Sequence, residues 1–467
     1  MKPVIFRRIL VAVTVCATAL PAAAGQLGFD DARHLLNRTS FAANTPEINE
    51  FSQLNRAAAA ARLLGWTAQA TKVPAPEWAL LPYEPPPRPA TLSDEARKDF
   101  QRRLIAQGRD LKAWWMAEML TTPSPLTEKM VLFWHNHFVS SMRKVRMPLL
   151  MYRQQLTMRQ HALGNFRELL HAMARDPAML IYLDGAANRK GKPNENFARE
   201  VMELFTLGEG RYTEQDVKEA ARAFTGWSID RETGEFLFHQ GMHDTGIKTV
   251  LGVTGRHDGA AVLDILLARP ETAEFIVTKL WREFISAEPD SGEVRRIAQV
   301  FRANRYDIRT VLRELLTSDA FYAPQNRANL VKSPVDLVVG TLRQFHMTIA
   351  DPLPFALAVS RLGQDLFAPP NVKGWPGGEA WINATTLLSR KQFLEMVFRG
   401  NESGMQSTMR RVPMSMQFDG DGWFDQFGNA PERWQRVVFA GPPVSTVSGL
   451  GVQALRAAVQ DPVYQLK

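Results

Sequence analysis

The chain has 467 residues, 45% of them hydrophobic and 22% charged, with a formal net charge of +8. That is enough apolar material for a large core, and the length leads to an expectation of two packed subdomains. It carries one cysteine and no long basic run or aromatic-basic motif, which excludes disulfide scaffolding and nucleic-acid binding.

At the amino end, Lys2, Arg7 and Arg8 precede an apolar run from Ile9 to Leu20, then Pro21 and Ala22-Ala23-Ala24. A charged segment, a short apolar segment and an A-x-A site spell a cleavable signal peptide over residues 1–24, cut near Ala24. The apolar run of roughly 12 residues is too short for a permanent membrane helix. No other stretch is long enough to span. The flanks of Arg7-Arg8 fit twin-arginine export poorly, so Sec-type export to the periplasm or medium is the expectation. Cleavage removes Cys16 and with it all thiol chemistry, and losing the three leader cations lowers the charge from +8 to +5. That mild excess suits a solvated surface with weak attraction to anionic polysaccharide or membrane.

Residues 25–70 read as a short helical segment. Residues 71–90 hold seven prolines and predict an extended linker. From 91 to 400 helical stretches alternate with turns: Thr213 with Asp216 resembles a capping box, Asp307 precedes an apolar stripe, and Ser333-Pro334 opens a helix. Phe236 and Phe238 after Thr233-Gly234 predict a small β-hairpin within 228–252. Beyond 400 the chain is rich in Met, Gly and Gln with weak periodicity, and 401–467 reads as an irregular tail. The fold class expected is mainly α, a multi-helix body with one small hairpin excursion.

Several runs are similar to signature runs of the bacterial DUF1800 family. They are Phe133-Trp134-His135-Asn136-His137-Phe138, Asn194 to Glu200, Glu203 to Gly208, Ala221 to Trp227, His243-Asp244 with Lys248-Thr249, and Asn371 to Gly378. The blocks occur in order over roughly residues 30–400. The resemblance implies an exported protein of unknown function, often encoded beside a second exported family that looks alkaline-phosphatase-like, which is a candidate partner. It brings no catalytic residue.

Four groups of residues could carry chemistry. His135 and His137 lie two apart, about 200° around a helix, so they share an ion only if the helix ends before His135. The plainer reading packs His137 in the core and leaves His135 bonded to backbone. On the helix 194–208, Asn196, Arg199, Glu200 and Glu203 fall on one stripe about 100° wide. The carboxylates could act as acid, base or metal ligands, and Arg199 could hold an anion. Three residues apart, Glu200 and Glu203 suit a metal better than a glycosidase pair, whose carboxyls stand about 5 Å or more apart across the sugar. The alternative is a solvent face of i,i+4 ion pairs.

His243 and Asp244, near His239 and His257-Asp258, complete a possible divalent-metal set with His135 and His137. Hydrogen bonds to turn backbone are the other reading. Gly241 to Thr249 misses the phosphate-loop spacing and follows a hairpin, which excludes it. Last, Trp375 and Trp381 with Asn-rich surroundings and Lys373 form a loop suited to stacking on sugar rings, or one plugged into the core. Two functions follow. One is a cell-envelope hydrolase or modifying enzyme built on Glu200, Glu203 and Arg199, with Asn196, Lys373, Trp375 and Trp381 binding substrate. The other is a non-catalytic scaffold for an exported partner or envelope polysaccharide. The density of polar motifs between 133 and 249 tilts the sequence toward the enzyme.

Overall fold

The computed structural model describes residues 25–87, 93–399 and 416–467, so the leader segment lies outside the described residues. The described chain is mainly α, with three two-stranded antiparallel sheets attached. Buried apolar residues from Leu27 to Tyr464 form one connected core. At its centre is the helix Pro125–His137, buried on nearly every face, with Glu128 and Lys129 taken into the core as partners of Arg159 and Asp336.

Local signals place many helix starts. Ser333 accepts from the Asp336 N–H at 3.0 Å and Asp336 from the Ser333 N–H at 3.1 Å, a reciprocal cap behind Pro334. Thr213 and Asp216 do the same for the helix Glu214–Ala223. Asp307 caps Ile308–Thr317 through the Thr310 N–H at 2.8 Å.

The predicted hairpin is two hairpins. Trp227–Ile229 pairs with Phe236–Phe238, and Lys248–Val250 pairs with Val253–Gly255. The second turns through Leu251 and Gly252, both with positive φ (50° and 81°), the backbone that a two-residue primed turn demands. A leucine there gives no turn signal, which is why only the first hairpin is visible in the sequence.

Residues 25–70 carry three helices, and these sit against residues far along the chain. His34 bonds the Phe321 carbonyl at 2.9 Å, and fully buried Arg38 donates to the Asn326 carbonyl at 2.7 Å. The proline-rich stretch runs along the body. The Val73 N–H donates to Glu118 at 2.8 Å, a 3-10 turn forms at Glu77–Leu80, and Trp78 meets Tyr152 edge-on.

The irregular tail is a correction. Residues 416–467 include helices at Gly420–Asp425, Pro431–Val438 and Val452–Ala458, and bury Trp434 and Tyr464 completely. Short helices of this length take their stability from tertiary packing rather than periodicity. Here the Trp423 indole donates to the Gln344 carbonyl at 3.2 Å, and Tyr464 shares a hydrogen bond with Thr341 at 2.9 Å.

Candidate functional site

The helix that holds the carboxylate stripe changes pitch in its middle. Asn194 caps it, accepting from the Asn196 N–H at 2.9 Å, and α-geometry runs from Glu195 to Glu200. From Val201 to Leu207 it widens to a π-helix, closed by the Gly208 N–H on the Glu203 carbonyl at 3.1 Å. Thr206 also donates its hydroxyl to the Val201 carbonyl at 2.8 Å, one π-turn back. Such π-turns are rare and concentrate at functional sites. The stripe computed at 100° per residue therefore holds only as far as Glu200.

Around that turn most charges have a partner. Arg199 grips Glu214 through both guanidinium nitrogens at 2.7 Å and lies 3.5 Å from Glu195. The Tyr212 hydroxyl donates to Glu203, and burial together with that carboxylate pushes the phenol up to about 12. Lys373, from the Asn371–Gly378 loop, donates to Glu209 at 2.7 Å. Its ammonium also lies in the field of Glu203 and Glu200. Asn196 is spent on the Leu183 carbonyl at 3.1 Å.

Glu200 is the exception. It is half-buried, and no hydrogen bond or ion pair to it is made by the described residues. Burial and the neighbouring Glu203 raise its carboxyl above the ordinary range, against Arg199 and Lys373. Nearly buried Tyr182 lies close enough to feel Glu200, which adds to the rise that burial gives its phenol. The structure thus brings Lys373 to Glu200 and Glu203 as one polar surface. Tyr212, Glu209 and Glu214 belong to it and were missed by sequence reasoning, because none of the three carries a motif of its own.

The histidines do not join this surface. The helix runs on to His137, so the two imidazoles point apart, as helical geometry requires. His135 is buried against the rings of Trp115, Phe367 and Trp375, each about 5.5 Å away, with its Nε2 unpartnered. Burial holds it down to about 3. His137 has both nitrogens engaged: Lys279 donates to Nδ1 at 2.9 Å, and Nε2 lies 3.2 Å from the Phe205 carbonyl. An ammonium on Nδ1 fixes the neutral ring with its proton on Nε2, so the imidazole caps the π-helix and no lone pair remains for a metal. Burial, then Lys279, keeps it well below its ordinary range.

His243 and Asp244 stand elsewhere again. His243 Nδ1 bonds the Thr225 carbonyl at 2.9 Å. Asp244 accepts from Arg222 at 2.9 and 3.2 Å and is held down to about 2 by that contact. Asp258 caps the helix Gly259–Ala268. Among the described residues no three His, Cys, Asp or Glu side chains gather as a set that could hold a metal ion. The proposed convergence of His135, His137, His243 and Asp244 is corrected accordingly.

The tryptophan loop is corrected too. Trp375 and Trp381 are 4% and 7% exposed and plug into the core, so neither indole offers a sugar-stacking face. The loop is anchored by Asn136, between the two histidines. Its side chain accepts from the Trp375 N–H at 2.7 Å, and at Gly374 (φ 82°) a Cβ would lie 2.2 Å from Asn136 Oδ1. Only glycine fits there.

A family model described as "Protein of unknown function (DUF1800)" matches residues 34–463, and the chain belongs to that family. The match extends beyond residue 400, so the carboxy-terminal helices are part of the family's fold. Neither the curated proteins nor the solved structures contain a match.

Proposed function

We propose that this DUF1800 member is an exported binding protein rather than an enzyme, and that it engages a hydroxyl-rich envelope polysaccharide through the surface around Glu200, Glu203, Tyr212 and Lys373. The observation that carries this reading is the pairing just described: Arg199, Glu203, Glu209 and Lys373 are each tied to a neighbour in the same chain. These side chains thus have hydrogen-bonding partners already within the chain. They make a preorganised array of acceptors and donors, which loses little side-chain entropy when sugar hydroxyls bind. The leader-like residues 1–24 support an exported protein. The enzyme reading suggested by the sequence loses its histidines, which are buried away from the carboxylates.

Co-sedimentation of the purified chain with insoluble envelope polysaccharide tests this. Retention that competes with soluble polysaccharide, and that falls together in Glu203→Gln and Lys373→Ala with melting unchanged, is the expected result. Equal retention of both variants, or none of the parent, rejects it.

One observation favours a second reading. Glu200 has no hydrogen-bond or ion-pair partner among the described residues, and burial, then Glu203, raises its carboxyl above the ordinary range, the direction a general acid needs. If the sedimented polysaccharide is cleaved, and Glu200→Gln abolishes cleavage while retaining binding, the enzyme reading replaces the first.

A further inference from the structure

A cleft of about 630 Å³ opens between the helix Asp94–Thr121, the Met142–Pro148 segment and residues 357–368. That volume falls in the range of small-molecule sites, roughly 300–1,000 Å³. Its floor is aliphatic, formed by Leu104, Met142, Leu357 and Ala368. Gly108 lets the floor close, since a Cβ there would stand 3.2 Å from Met142. Ile105 is 64% exposed at the rim, an isoleucine with nothing over it among the described residues.

The walls are cationic: Arg109, Lys112, Arg143 and Arg146 face a single carboxylate, Asp365. Lys112 already pairs with Asp365, and Arg143 stands 3.8 Å from it. No carboxylate among the described residues pairs with Arg109 or Arg146. The cleft thus carries three positive charges in excess beside an apolar floor. No aromatic ring lines it to stack a base or a sugar, and Gln101 is its one neutral hydrogen-bonding side chain.

From this combination we infer that the cleft binds a single-chain anionic amphiphile, a long-chain carboxylate whose head meets Arg109 and Arg146 and whose tail lies along Leu104, Ile105 and Leu357. Guanidinium groups match a carboxylate head in charge and in planar geometry. Burying the tail and the exposed isoleucine together supplies the apolar gain. The cleft shares no lining residue with the polysaccharide surface, and the inference does not depend on that surface.

The test is calorimetric titration of the whole purified chain with dodecanoate below its micelle concentration, with dodecyl maltoside as the uncharged-head control. Saturable one-to-one binding of dodecanoate is expected, weakened about tenfold in Arg109→Glu and in Ile105→Asp. Both side chains are exposed, so melting should be unchanged in both variants. Arg146→Asn, whose new residue tolerates the left-handed backbone at φ 57°, should weaken binding in the same direction. Failure to bind dodecanoate, equal binding of the maltoside, or indifference to all three substitutions overturns the assignment. Binding only to anionic phospholipid vesicles, with none to soluble dodecanoate, overturns it in favour of a membrane-surface role.

Discussion

The Asn136 amide satisfies both backbone groups of Trp375, accepting from its N–H at 2.7 Å and donating to its carbonyl at 3.2 Å. Two sequence blocks 239 residues apart are therefore one structural unit. Asn136→Ala should lower stability by about 1–3 kcal/mol, since it strands a donor and an acceptor. Asn136→Asp keeps an acceptor for the N–H but sets a carboxylate against the Trp375 carbonyl, so it should rescue little. Chemical denaturation of the two variants checks the order. A fully stable alanine variant would contradict the anchoring role.

Asp336 sits buried between Lys129 at 2.6 Å and Lys467 at 2.7 Å, with Glu283 3.3 Å from Lys467. Burial alone would raise its carboxyl, but the two ammonium groups outweigh burial and hold it well below the usual range. Asp336→Asn leaves two buried lysines short of a counter-charge, and a loss of roughly 3–5 kcal/mol is expected. Pairing it with Lys129→Met should restore part of that loss. Because the folded value is depressed, this stabilisation is complete above the unfolded carboxylate value near 4 and fades as pH falls below it. Melting curves from pH 6 to pH 2 should show the parent losing stability faster than the variant.

Asp176 behaves in the opposite sense. It caps Pro177–Tyr182 through the Met179 N–H at 2.9 Å and accepts from Gln154 at 2.6 Å. Complete burial nonetheless raises it to about 7. The folded state therefore holds a proton that the unfolded state has released, and stability should decline as pH rises from about 4 to about 7. Asn caps as well as Asp, so Asp176→Asn should flatten this decline and stabilise the protein at pH 8 by about 1–4 kcal/mol. A destabilised variant at pH 8 would show that the ionised carboxylate is needed.

Tyr212 reports on the polar surface. Its phenol is raised by burial and by its bond to Glu203, so Glu203→Gln should lower the titration midpoint from about 12. Carbon-13 NMR of labelled tyrosine rings would follow it. An unmoved midpoint would mean that the hydroxyl and the carboxylate are not joined in solution.

What was legible in the sequence was local. Ser333-Pro334-Asp336 and Thr213-Asp216 announce their helices because a cap needs only three or four consecutive residues. The π-turn at Val201–Leu207 has no such signature: its Phe205 carbonyl is satisfied by His137, and a helical wheel cannot anticipate that partner. The tail was misread for the same reason, since its short helices depend on Trp423 reaching Gln344. For the site, the sequence picked out Glu200 and Glu203 as a pair and Lys373 apart from them, and only the fold sets the lysine beside the carboxylates. The histidines looked chemical because burial and partners such as Lys279 leave no trace in the local pattern.

The helices of residues 28–65 dock onto partners that are synthesised far later. His34 meets a carbonyl 287 residues away, and Asp336 waits for a lysine 131 residues downstream. With so much of the core closed by distant contacts, unassisted folding should be slow. A break in the proline-rich stretch should then yield two pieces that fold only when recombined. Such a chain cannot lock its shape until its carboxy-terminal residues are in place.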